Sequence, residues 1–112
     1  MAVKFLNKKT LIRTELLKDA FAGNFPSYTS FGKRVGVPAM GPWQPVLDVI
    51  SDEETHNSYP DITFLLKNKT TGYPGQIGFV RAKKPTGAQA AIAHREVQQV
   101  IDTYCPGTKN PY

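Results

Sequence analysis

Cys105, His56 and His94 are the side chains here with nucleophilic or metal-binding chemistry, and Asp52, Glu53 and Glu54 are the closest-set acids. A reactive cysteine needs a neighbour that holds it as a thiolate. Cys105 sits in "TYCPG" with no histidine close by in sequence. The two histidines lie 38 residues apart, and neither has a Cys or an acid at metal-ligand spacing, so no metal and no cofactor is expected. Consecutive acids on a helix point in different directions, which makes 52–54 a solvated face and not a general acid–base pair. "GYPGQIG" lacks the spacing and the following Lys-Ser/Thr of a phosphate-cradling loop. No enzyme is expected.

What remains is cationic. Fourteen Lys and Arg against nine Asp and Glu give a formal charge of +5. A balance of that size fits a polyanionic partner, most often nucleic acid; the plainer reading is that charge keeps a small protein soluble. The charges are segregated. Residues 4–34 hold seven basic and two acidic side chains, and 48–56 hold four acids with no Lys or Arg. Residues 67–84 then hold Lys67, Lys69, Arg81, Lys83 and Lys84 without an acid. Lys33, Arg34 and those five are the candidate phosphate contacts. Tyr28 either rests its ring on the core or touches the DNA backbone, and Gln44 is the one amide placed to read a base edge.

The elements that would position these groups follow from periodicity and punctuation. One domain over 1–112 suits the length. No apolar run approaches the roughly 20 residues of a membrane span. The start "MAVKFLNKK" lacks a leader's apolar stretch, and a single cysteine excludes an intramolecular disulfide, so a reducing cytoplasm is the expected setting. Leu11, Ile12, Leu16, Leu17, Ala20 and Phe21 predict a helix over about 9–22 that Gly23 and Asn24 stop. "SYTSFGKRVGVP" (27–38) predicts a short helix capped by Ser27, stopped at Gly36, with Phe31 and Val35 inward and Lys33 and Arg34 outward. A third helix over about 41–54 tolerates Pro42 and Pro45 in its first turn and buries Trp43, Val46, Leu47 and Ile50. "DITFLLKN" (61–68) and "QIGFVRA" (76–82) predict two paired strands around the turn "NKTTGYPG". A last helix over about 87–104 starts at Thr86 and buries Ile92, Val97, Val100 and Ile101. That order predicts an α/β (α+β) fold, a winged helix-turn-helix with a two-stranded hairpin as the wing.

At Ser27-Tyr28-Thr29-Ser30-Phe31-Gly32-Lys33-Arg34-Val35-Gly36-Val37-Pro38 the chain resembles the DNA-binding domain of O6-alkylguanine-DNA alkyltransferases and the non-enzymatic alkyltransferase-like proteins. It also resembles small bacterial proteins with the layout "TYGELA…LPxLxxLVVNxxTGxPG". The resemblance runs over roughly 25–80 and implies a winged-helix frame that contacts duplex DNA, with Tyr28 matching the tyrosine that presses on the backbone. It departs where the chemistry lies. The families' Pro-Cys-His-Arg strand reads "ITFLLKNK" here, so alkyl transfer is absent. The arginine that replaces a flipped nucleotide is also missing, since that region reads "AMGPWQP", and base flipping is not implied.

The sequence therefore predicts a non-enzymatic protein that holds double-stranded DNA through its phosphates. The alternative is a protein-interaction module on the same frame, such as a phage or mobile-element inhibitor of a host nuclease or transcription component. The missing arginine and the acids of the third helix favour that alternative, and the two basic segments favour DNA.

Overall fold

The computed structural model describes residues 3–81 and 84–112. Four α-helices carry it: α1 (Lys9–Ala22), α2 (Tyr28–Val35), α3 (Gln44–His56) and α4 (Gly87–Tyr104), with 3-10 turns at Leu6–Lys8, Ile62–Leu65 and Gly75–Ile77. The helices form close to where spacing places them. Ser27 caps α2 by accepting a hydrogen bond from the Ser30 amide, and Gly36 ends it at φ 74°, a conformation that glycine adopts without strain. Thr86 and Gln89 close a capping box on α4, each side chain bonding the other's backbone amide. Pro45 falls in the first turn of α3, where its missing N–H has no partner to lose.

The expected hairpin is absent. Helix accounts for 59% of the structure and strand for 3%, with no sheet among the described residues, so the fold is helical and not an α/β winged helix. Residues 61–66 are buried without a break, whereas a strand with one solvated face alternates. Asp61 decides the conformation. Its carboxylate accepts hydrogen bonds from both the Thr63 amide (3.0 Å) and the Thr63 hydroxyl, which winds Ile62–Leu65 into a 3-10 turn. The expected return strand 76–82 is absent among the described residues as well: Gly75–Ile77 is a 3-10 turn, and Gly78 leaves it at φ 94°, ψ −168°.

The Ile62–Leu65 turn packs against α1, α3 and α4 and so occupies the centre of the molecule. Ile62, Leu65 and Leu66 join Ile12, Leu16, Phe31, Val46, Leu47, Ile50 and Val100 in the larger core cluster. Each such side chain contributes about 1.5–3 kcal/mol when fully buried. Phe64, on the same turn, packs instead with Ile77, Ala93, Val97 and Ile101, and Phe25 touches both clusters. Of the apolar residues expected on the inner face of α1, Leu11 and Phe21 stay exposed. Trp43 is buried at 8% exposure, its indole N–H donating to the Ala39 carbonyl at 3.1 Å.

In place of a sheet there is one backbone junction. Lys67 bridges Ser27 on one side and Pro74 on the other. The Lys67 amide donates to Pro26 (3.0 Å), its carbonyl accepts from Tyr28 (3.2 Å), and the Asn68 amide donates to Tyr73 (2.8 Å). That junction ties the start of α2 to the turn 68–73.

Candidate nucleic-acid interface

Four of the seven cations of the first basic segment are paired with acids, three of them with acids fifteen or more residues away. Arg34 places one guanidinium nitrogen 2.9 and 3.0 Å from the two carboxylate oxygens of Asp19. Its other terminal nitrogen reaches Glu15 at 3.3 Å, and the guanidinium lies over the Phe31 ring at 5.1 Å. Burial pushes the Asp19 carboxyl above its usual range, and the Arg34 hydrogen bond opposes that shift. Lys9 pairs with Glu53 at 2.8 Å, Arg13 with the buried Glu54, and Lys18 with Glu15 at 2.7 Å. Two of the three consecutive acids are therefore ties between α1 and α3 and not a solvated run. Lys33 remains exposed, beside a shallow groove lined by Thr29, Gly32, Gly36, Val37 and Pro38.

The proposed reader of base edges is committed elsewhere. Gln44 donates from its amide to Asp48 at 2.6 Å. Gln44, Asp48 and Asp52 are exposed at four-residue spacing and form one stripe of α3. Its charge repels phosphate. Tyr28 is also committed. Its ring packs against Trp43 at 5.4 Å between centroids, and its hydroxyl meets the Gly75 backbone. Burial pushes this phenol up to about 12, with the Gly75 hydrogen bond opposing it. Tyr28 braces the core against the turn 75–77.

The second basic segment is different. Lys67, Lys69, Arg81 and Lys84 make no ion pair with any described residue. Lys83 lies outside the described residues. Between Asp61 and Glu96 the sequence holds no acid at all. The turn 68–73 and the segment 78–80 face each other across a cleft of about 420 Å³, lined by Asn68, Thr70, Thr71, Pro74, Gly75, Gly78, Phe79 and Val80. Lys69 and Arg81 are exposed and next in sequence to lining residues, but neither lines the cleft itself. The Lys84 amide donates to the Arg81 carbonyl at 3.0 Å.

Phe79, which the sequence reading passed over, is 85% exposed on this cleft. The side chain of Gln89 donates to the Phe79 carbonyl at 2.6 Å and so fastens the segment to the start of α4. An aromatic among basics in "GFVRAKK" was the available signal.

The remaining chemical candidates stay apart. His56 is exposed at the end of α3, and the Nδ1 of His94 lies 2.8 Å from the Tyr112 carbonyl oxygen. Cys105 caps α4 half-buried, packed in the smaller apolar cluster. Among the described residues no group of His, Cys, Asp and Glu is placed to hold a metal, and no helix is long and apolar enough to cross a membrane. No protein-family model, curated protein or solved structure matches this chain, and the resemblance to alkyltransferases rests on residues 25–80 of the sequence alone.

Proposed function

We propose that this is a non-enzymatic DNA-binding protein that holds duplex DNA mainly through its phosphates, using the cationic surface around residues 67–84. One observation carries the reading: Lys67, Lys69, Arg81 and Lys84 have no acidic partner among the described residues, while four of the seven cations in residues 4–34 do. Lys69, Arg81 and Lys84 are exposed, Lys69 and Arg81 adjoin in sequence residues that line the cleft, and the acidic stripe of α3 contributes nothing to that lining. Contacts of this kind carry no base identity, so binding is sequence-tolerant, with Kd of about 10⁻⁴–10⁻⁶ M at physiological salt. A cytoplasmic setting accompanies this reading, on the single reduced Cys105.

Fluorescence anisotropy with a generic duplex tests it. Four phosphate contacts give a slope of log K on log salt near −3.6, a loss of about a hundred-fold between roughly 50 and 200 mM salt. Absence of binding at the lower salt would end the DNA reading. The second reading, a protein-interaction module, is favoured by the exposed apolar side chains of Phe79 and Met40, 85% and 96% accessible. Under that reading a partner is captured with little dependence on salt.

A further inference from the structure

The geometry points to a base-stacking subsite: the cleft between 68–73 and 78–80 takes one unpaired nucleobase of a DNA strand, with its face on the Phe79 ring. This deepens the proposed function and rests on it.

Three features support the subsite. The first is an aromatic ring held out in solvent by a rigid backbone. Gly78 at φ 94°, ψ −168° is in a region that side-chain-bearing residues avoid. Next to it, Gln89 bonds the carbonyls of Phe79 (2.6 Å) and Ile77 (3.5 Å), and the capping box with Thr86 fixes Gln89 in turn. The backbone that carries the ring is thus anchored before any ligand arrives, which lowers part of the ordering cost of binding.

The second is an unspent polar edge on the facing wall. The Asn68 side-chain oxygen accepts from the Thr70 amide (2.8 Å) and the Thr71 amide (3.4 Å). That assigns the amide orientation and leaves the Asn68 N–H₂ group without a partner among the described residues, available to a base oxygen or ring nitrogen. The third is charge. Lys69 and Arg81 are exposed and adjoin in sequence the lining residues Asn68, Thr70 and Val80, which keeps positive charge near both walls for the phosphates of the strand. A cationic groove with an aromatic platform is the combination that single strands use, because every base has a π-face. A cleft of about 420 Å³ is within the size range of small-molecule sites and has room for one nucleoside. Duplex interior bases offer no free face, so the occupant is an unpaired nucleotide at a strand end or junction.

The experiment compares a blunt duplex with the same duplex carrying a short single-stranded extension, by anisotropy at fixed low salt. Wild type is expected to prefer the extended duplex by about ten-fold. Phe79→Ala should remove that preference and leave the blunt-duplex affinity within about two-fold. Phe79→Trp should keep the preference, and the added indole emission should be quenched by the extended duplex only. Equal binding of both DNAs by wild type, or a preference that survives Phe79→Ala, overturns the subsite and leaves phosphate binding standing. No binding of either DNA overturns both.

Discussion

The hydroxyl of Tyr28 lies against the backbone of Gly75 so closely that a β-carbon at position 75 would overlap with it, while the ring carbons behind the oxygen stand 3.0 and 3.1 Å from that point. The first residue of α2 and the first residue of the 75–77 turn are thereby one joint. Trp43 lies against the tyrosine ring and Phe31 lies against Trp43, so the ring has little room to withdraw. Gly75→Ala is therefore expected to cost about 1–3 kcal/mol by overpacking. Removing the hydroxyl relieves the worst contact, so Tyr28→Phe combined with Gly75→Ala should be more stable than Gly75→Ala alone. Urea midpoints of the four proteins in the cycle measure it, and simple additivity would refute the joint.

Alkali should loosen the same region. Burial pushes both Tyr28 and Tyr112 up to about 12. The unfolded chain loses these protons near pH 10 and the folded one near 12, so between those values the folded state binds more protons. Stability then falls as pH rises, and it is unaffected below about pH 10. Thermal midpoints measured across this range should stay level and then decline, and Tyr28→Phe should make the decline shallower. Phenolate absorbance should show Tyr28 and Tyr112 titrating last, with burial raising Tyr104 as well.

What was legible in the sequence was local. Ser27, Gly36 and Thr86 announce helix ends because a cap or a left-handed glycine acts on its own few neighbours. The run 61–66 was misread because a short apolar stretch has the same appearance as a buried strand or a buried helical turn. Asp61 with Thr63 was the deciding pair, a capping signal two residues long inside what passed for a strand. The basic segment of residues 4–34 misled for a different reason. Arg34 finds Asp19 fifteen residues away and Lys9 finds Glu53 forty-four away, and no local pattern records such pairings. The cleft was missed because its two walls meet only through the Lys67 junction and the Gln89 anchor.

Arg34 and Lys33 are adjacent and should behave in opposite ways. Arg34→Ala leaves the Asp19 carboxyl, 4% exposed, without its cation, at a cost of about 2–4 kcal/mol. The Asp19 carboxyl is already raised by burial and rises further once Arg34 is gone. A raised carboxyl favours the folded state at low pH and loses that contribution as pH increases, so the deficit of Arg34→Ala should be larger at neutral pH than in acid. Lys33→Ala should change stability by no more than about 0.5 kcal/mol. Denaturant curves at two pH values distinguish these outcomes, and a deficit for Arg34→Ala that ignores pH would show that Asp19 is not its cause.

Charge reversal on the cleft tests the assignment of the cationic face. Lys69 and Arg81 are exposed and make no ion pair among the described residues, so Lys69→Glu with Arg81→Glu should leave the melting temperature close to wild type. If both side chains neutralise phosphates, duplex affinity falls at least about ten-fold at low salt, and the salt slope becomes shallower by about 2. Asp48→Lys with Asp52→Lys provides the contrast on the exposed stripe of α3. It changes charge by the same amount in the opposite sense, on a surface that the cleft does not include. It should raise affinity slightly through the long-range field and leave the slope nearly unchanged, since it adds no contact. A slope that steepens with the α3 pair and does not respond to the cleft pair would move the interface to α3.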